Sequence, residues 1–192
     1  MNLMDEEAEL FYKSDPGTME RCIYHLRSDN LMILPCDTIY GLSGKVDTTL
    51  SKLRELKEHV GQQQFAILAT MEQAKYLCNV PKALESHWPC ALTCILQNRE
   101  GTGNSAIRVP DDPFIQELLT ELGSPIYSTS VNPYGYSITN ITDIIFTFKE
   151  KVQAIVVDPQ RQRDTPSTMI DCTKTPYTFL RCGAYDASDL LR

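Results

Sequence analysis

Four polar segments stand where apolar runs break off, and their side chains are of the kinds that hold anions and position small polar molecules. The first is Pro35-Cys36-Asp37-Thr38-Ile39-Tyr40-Gly41-Leu42, which follows an apolar run and carries hydroxyls at Thr38 and Tyr40 before the permissive Gly41. The second is Lys57, with His59 two residues later, at the end of a leucine-spaced stretch. The third, Ser128-Thr129-Ser130-Val131-Asn132, offers Ser130 and Asn132, and the fourth joins Pro166-Ser167-Thr168 to Arg181 further along. Cationic and hydroxyl donors of this kind bind carboxylate and phosphate oxygens through charge-assisted hydrogen bonds. Each segment alone also has a plain reading, because Ser, Thr and Asn at strand ends commonly close turns on their own backbone. Arg108 likewise has a plain reading as a strand-end partner of Asp111 or Asp112.

Other chemistries fit less well. The chain contains no GxxxxGK[ST] phosphate loop, and Gly101-Thr102-Gly103-Asn104 runs into a strand-like Ile107-Arg108-Val109-Pro110 where a dinucleotide turn needs a helix. His87, Cys90 and Cys94 lack a nearby fourth zinc ligand, and Cys90, Leu92 and Cys94 fit strand alternation, so no metal site is expected. Cys36 assisted by His25 or His59 is a conceivable nucleophile, although buried cysteine is usually a small apolar side chain.

The elements that must carry these residues alternate in period. Met19, Cys22, Ile23 and Leu26 predict a helix behind Ser14, Asp15 and Pro16, and residues 31–36 a buried strand. Leu50, Leu53 and Leu56 predict a second helix, residues 65–68 a strand, and Met71, Ala74, Leu77 and Cys78 a third helix. Strands follow at 91–96 and 104–109, then a strong helix from Asp111-Asp112-Pro113 to Gly123, a strand at 126–130, a helix at 141–151, a strand at 154–158 and a final strand pair around 167–172 and 177–181. Residues 159–166 read as a solvated loop. The pattern predicts an α/β (α+β) fold, a twisted mixed sheet covered by helices.

With 192 residues and 42% apolar composition, the chain is expected to form one domain over 1–192. Its net charge of −7 excludes a uniformly basic nucleic-acid surface and confines any phosphate site to a locally positive cleft. Seven cysteines, an odd number, suit a reducing compartment better than a disulfide framework. No apolar run reaches membrane-spanning length and the N-terminus is acidic, so a cytoplasmic protein without membrane contact is expected.

Taken together, the segments resemble the YrdC-like threonylcarbamoyl-AMP synthase family. Its Pro-Thr-Asp-Thr-x-Tyr-Gly-Leu signature is present with Cys36 for the first Thr, and its Lys-x-Arg as Lys57-Glu58-His59. Its Arg-x-Pro matches Arg108-Val109-Pro110, its Thr-Ser-x-Asn matches Thr129 to Asn132, its Pro-Ser-Thr-x-x-Asp matches Pro166 to Asp171, and its Leu-Arg-Pro-Gly matches Leu180 to Gly183. A weaker match to Pro-Gly-Pro-x-Thr runs from Pro89 to Thr93, and the motifs span about residues 15–185 in order. The resemblance implies a YrdC-like fold with a concave ligand cleft, in the short, single-domain form. It further implies an enzyme that joins L-threonine, bicarbonate and ATP into threonylcarbamoyl-AMP with release of pyrophosphate, Mg²⁺ arriving with ATP and the product passing to tRNA. By similarity Lys57, Ser130, Asn132 and Arg181 would bind ATP, and Thr38, Tyr40, Arg108 and Ser167 would bind threonine. Lys57, His59, Ser130 and Asn132 would form the catalytic set.

The chain departs from the family at two basic positions. His59 stands where the motif has Arg, and Gln63-Gln64-Phe65 where a Lys-Pro-Leu is usual. Hydrogen bonds to charged groups contribute about 1.5–3 kcal/mol each, so two lost cations would weaken phosphate stabilisation substantially. Three readings follow: a synthase with altered phosphate contacts, a paralogue that binds a nucleotide without synthase activity, and a double-stranded RNA-binding module. Other tRNA-modification proteins are expected partners under the first.

Overall fold

Ten strands form one twisted mixed sheet in the computed structural model of the chain, which describes residues 7–57, 64–132, 138–161 and 164–191. In chain order the elements are β1 (Glu9–Tyr12), α1 (Thr18–Arg27), β2 (Met32–Leu34), β3 (Gly41–Lys45), α2 (Leu50–Leu56), β4 (Ala66–Leu68), α3 (Met71–Leu77), α4 (Lys82–Glu85), β5 (Leu92–Gln97) and β6 (Asn104–Arg108). There follow α5 (Pro113–Leu122), β7 (Ile126–Ser130), α6 (Ile141–Phe148), β8 (Ala154–Val157), β9 (Thr168–Asp171), β10 (Thr178–Arg181) and a 3-10 turn at Ser188–Leu190. The strand order is β1-β8-β2-β3-β7-β4-β6-β5-β9-β10. Parallel pairs (β1 with β8, β8 with β2, β4 with β6, β5 with β9) interleave with antiparallel ones.

Side-chain alternation sorts the core onto two faces. Leu34, Leu68, Ala154 and Val156 pack with Leu26 of α1 and with Ile115, Leu118 and Leu119 of α5. Their immediate neighbours Ile33 and Ile155 point the other way, into a cluster with Leu53 of α2 and Ile144 and Phe148 of α6. A third cluster joins Ile67, Leu92, Cys94 and Leu96 to Ala74 of α3 and Leu84 of α4. Burial of these side chains supplies the driving force, at about 25 cal/mol per Å² of apolar surface removed from water.

Local chemistry sets the boundaries. The strong helix starts as expected: Asp112 caps α5 by accepting from the Phe114 and Ile115 N–H groups, Pro113 opens it, and Gly123 ends it at φ 69°. The start of α1 differs from expectation. The Asp15 carboxylate accepts from the Tyr12 N–H at 2.9 Å and closes a turn instead of capping, leaving Gly17 (φ 79°) as an N-cap without a side-chain bond. The strand β3 was not expected from its Gly-Leu-Ser-Gly-Lys composition. Its glycines are there for close approach, since a Cβ on Gly41 would lie 2.2 Å from Ser128 Oγ and one on Gly44 would lie 2.3 Å from Thr49 Oγ1.

Candidate functional site

A cavity of about 330 Å³ opens on the sheet face that carries Leu34 and Leu68, over the strands that α1 and α5 leave uncovered. Its floor comes from β3, β7, β4, β6, β5 and β9, adjacent in the sheet. Register puts the floor residues on one side: Ala66 lies opposite Ser128, Leu68 opposite Arg108, Arg108 opposite Thr93, Thr93 opposite Met169, and Gly41 opposite Ser130. The turn between β2 and β3 crosses this floor and lines the cavity with Thr38 and Tyr40.

Arg108, Ser130 and Arg181 each close a strand, but these ends do not all meet. Leu68 pairs with both Arg108 and Ile126, so Arg108 stands beside the start of β7, while Ser130 closes β7 four residues on, about 13 Å away. Antiparallel neighbours send their ends to opposite edges of the sheet, and it is a shared face that unites them.

At one end of the cavity Arg108 is buried. Its Nη1 donates to Thr38 Oγ1 at 2.7 Å and its Nη2 pairs with the Asp37 carboxylate, while its Nε is buried without a hydrogen-bond partner. The partner is thus Asp37, not Asp111 or Asp112; Asp112 is occupied as the α5 cap and by Lys13 at 3.5 Å. Asp37 also accepts from the Asp111 N–H at 3.2 Å, and so locks the turn against the end of β6. Ser167 shares a 2.8 Å hydrogen bond with Thr93, and Arg181 donates to the Ser167 carbonyl at 2.9 Å and to its hydroxyl at 3.2 Å. Burial and the nearby Arg108 lower the Arg181 pKa. Among the described residues no carboxylate lies within 4 Å of Arg181.

At the other end Ser130 lines the cavity, and its hydroxyl donates to Asn132 Oδ1 at 3.2 Å. Lys57 is buried at the C-cap of α2, and burial lowers its pKa to about 8. Its ammonium donates to the Ser130 carbonyl at 2.7 Å, to the Asn132 carbonyl at 3.2 Å and to the Asn132 side chain. It stands one backbone carbonyl behind the cavity wall. Of the four residues expected at ATP, Lys57, Ser130 and Asn132 gather here, whereas Arg181 belongs to the Arg108 end. His59 and Gln63 lie outside the described residues.

Two contacts escaped sequence reading. Arg161, in the loop expected to be solvated, places its guanidinium 4.4 Å from the Tyr40 ring centroid and donates to the Thr38 carbonyl at 2.8 Å. Gly183 passes so close to the Pro166–Thr168 backbone that a Cβ would lie 2.3 Å from Ser167 C and Thr168 N. The Cys36 nucleophile is disfavoured: burial pushes its thiol pKa up and its Sγ donates to Asp37, while His25 is engaged by Glu9 at 2.8 Å and by Asn30 at 3.2 Å. All seven cysteines are free thiols. Among the described residues no helix is long and apolar enough to cross a membrane.

A family model for Sua5, YciO and YrdC proteins, described as "Telomere recombination", matches residues 25–183. The chain is 24% identical over 177 residues to the threonylcarbamoyl-AMP synthase of Pseudoalteromonas translucida, covering 82% of this chain and 95% of that one. It is 25% identical over 182 residues to the Pyrococcus abyssi threonylcarbamoyl-AMP synthase, covering 86% of this chain and 54% of that longer one. Its fold is similar to P. abyssi Sua5 complexed with L-threonine (TM-score 0.85, 23% identity, 96% of this chain and 60% of that one). E. coli YciO is also similar (TM-score 0.83, 19% identity, 98% of this chain and 100% of that one).

Proposed function

The chain belongs to the Sua5/YciO/YrdC family, and from that premise we propose that it is a threonylcarbamoyl-AMP synthase-like enzyme using L-threonine, bicarbonate and ATP. The observation that carries the proposal is electrostatic. Arg108 and Arg181 converge on one cavity with only Asp37 paired to them among the described residues, which leaves a locally positive site in a chain of net charge −7. Two anions must meet in such a reaction, and fixed guanidinium and hydroxyl donors offset their repulsion.

In this reading the threonine carboxylate takes the unpartnered Nε of Arg108, with Thr38, Tyr40 and Ser167 around the amino acid. The neutral amine attacks the bicarbonate carbon, a C–N bond forms, a C–O bond breaks, and water leaves to give a carbamate. A carbamate oxygen attacks the α-phosphorus, a new P–O bond forms, the bond to the β-phosphate oxygen breaks, and pyrophosphate leaves. Lys57 and Arg181 flank the phosphates from opposite ends, with Ser130 and Asn132 fixing Lys57. Mg²⁺ suits this site as a passenger on ATP, because the cavity offers guanidinium and hydroxyl groups where a resident hard cation would want carboxylates. The product would pass to tRNA.

Pyrophosphate release that requires both threonine and bicarbonate is the expected result. One observation favours a second reading, a nucleotide-binding paralogue: the Lys57 ammonium is already bonded to three protein acceptors. ATP binding without a threonine-dependent rate would establish that reading in place of the first. For both, restoring charge by His59→Arg with Gln63→Lys is informative, since only a synthase short of phosphate contacts gains rate from it.

A further inference from the structure

Arg161 takes no part in the chemistry above, yet its side chain is only 7% exposed on a connection whose composition suits water. Asp158 and Arg161, three residues apart, grip Tyr40 at two points. The Asp158 N–H donates to the Tyr40 hydroxyl at 3.0 Å, and the Arg161 guanidinium covers the ring. The Arg161 N–H donates to the Asp158 carbonyl at 3.3 Å, which makes the pair one turn. Lys13 holds the Asp158 carboxylate at 3.4 Å, so the turn is tied to the rest of the sheet. The Asp164 carboxylate lies 3.7 Å from the Arg161 guanidinium and is 70% exposed, so solvent screens that pair.

Beyond the ring, the same guanidinium reaches Thr38. This residue is held from both sides: Arg108 donates to its hydroxyl at 2.7 Å and Arg161 to its carbonyl at 2.8 Å. Asp37 anchors the turn from Pro35 to Gly41 to Arg108 and to the Asp111 N–H, and Arg161 adds a second anchor at Thr38 and Tyr40, two of the residues by which the turn lines the cavity. We propose that Arg161 is a positioning residue for the amino-acid end of the site. By clamping Thr38 and Tyr40 it sets affinity for the amino acid, while the Ser130 end, where the nucleotide is read to lie, is unaffected.

The proposal rests on the reading that Thr38 and Tyr40 meet the amino acid, so its test carries a readout independent of any ligand. Titration calorimetry with threonine and, separately, ATP is run on the wild type, Arg161→Ala and Arg161→Lys, together with amide hydrogen exchange across Ile39–Gly41. Loss of a charge-assisted hydrogen bond and a cation–π contact should weaken threonine binding about tenfold in Arg161→Ala. ATP affinity should stay within about twofold, a change too small to register as a lost contact. Arg161→Lys keeps a cation over the ring without the planar fork, and should recover part of the loss. Exchange at Ile39–Gly41 should accelerate in Arg161→Ala while β4 and β6 keep their protection. Unchanged threonine affinity overturns the proposal, as does a parallel loss of both ligands with a lowered melting temperature, which marks a merely structural residue. If the wild type binds ATP but no threonine, the functional reading fails. The exchange readout then decides alone: faster exchange confined to the turn supports the clamp, and unchanged exchange sinks it.

Discussion

The Arg108–Asp37 pair separates stability from binding at the level of single residues. Both side chains are 6% exposed, so removing one partner strands a desolvated charge, whereas removing both does not. Asp37→Ala should cost about 3–5 kcal/mol in denaturant unfolding, because Arg108 would then face Arg181 without compensation. Arg108→Met with Asp37→Ala should regain most of that stability and still bind no threonine. Equal losses in the single and double variants would show that the pair is not coupled. Lys57 makes a different prediction. Its folded pKa of about 8 lies below its ordinary value of 10.5, so the native state gives up this proton first and stability rises between those two pH values. A bound phosphate favours the ammonium and pulls the pKa back up. Nucleotide binding should therefore take up protons near pH 8–9, seen as buffer-dependent calorimetric enthalpies, and Lys57→Met should abolish the uptake. Proton release, or no linkage at all, would place the phosphates away from Lys57.

Among the elements, those with local punctuation were legible and those made by long-range contact were not. The α5 helix announces itself through Asp112, Pro113 and Gly123, all within its own sequence. The strand β3 does not, because its glycines answer to Ser128 and Thr49, one of them 87 residues away in the chain by the numbering. The same holds for the site. Motif residues such as Thr38, Arg108 and Ser167 were named from sequence, but their union on one face follows from strand register, which no motif encodes. The role of Arg161 depends on a contact spanning 123 positions, invisible to a composition-based reading of its loop. Gly183 shows how an element's backbone can govern the site. Its would-be Cβ meets backbone, which cannot swing aside, so Gly183→Ala should cost about 1–3 kcal/mol and displace Ser167 and Arg181 together. Gly101→Ala is the contrasting case: it has a left-handed demand, at φ +78°, that Gly183 lacks, and open space around it. It should cost about 1–2 kcal/mol from strain alone and leave threonine and ATP affinity intact. A Gly183→Ala protein that binds both ligands normally would show that the close approach serves packing only.

For the whole molecule, the cavity floor draws on six adjacent strands of a ten-stranded sheet, so a ligand held there ties distant parts of the chain into one stabilised state. Binding to the native state alone adds RT ln(1 + [L]/Kd), about 2.7 kcal/mol at a hundredfold excess over Kd. For a chain of this size each kcal/mol raises the melting temperature by about 2–4 °C, which makes the expected shift about 5–11 °C. The net charge of −7 acts against that gain for anionic ligands, since two arginines must attract them through an otherwise repulsive field. Mg²⁺ neutralises two phosphate charges before the ligand arrives, so MgATP should stabilise the protein more than free ATP at low salt. Zwitterionic threonine carries no net charge and should be nearly insensitive to this field. Screening lengths fall from about 30 Å at 0.01 M salt to about 3 Å at 1 M, so the repulsive part of the MgATP–ATP difference should shrink across that range. Thermal unfolding of the chain with threonine, ATP and MgATP at both salt concentrations measures this directly. A difference that persists undiminished at 1 M salt would mean that Mg²⁺ acts by direct contact within the cavity and that the molecule's overall charge has no part in it.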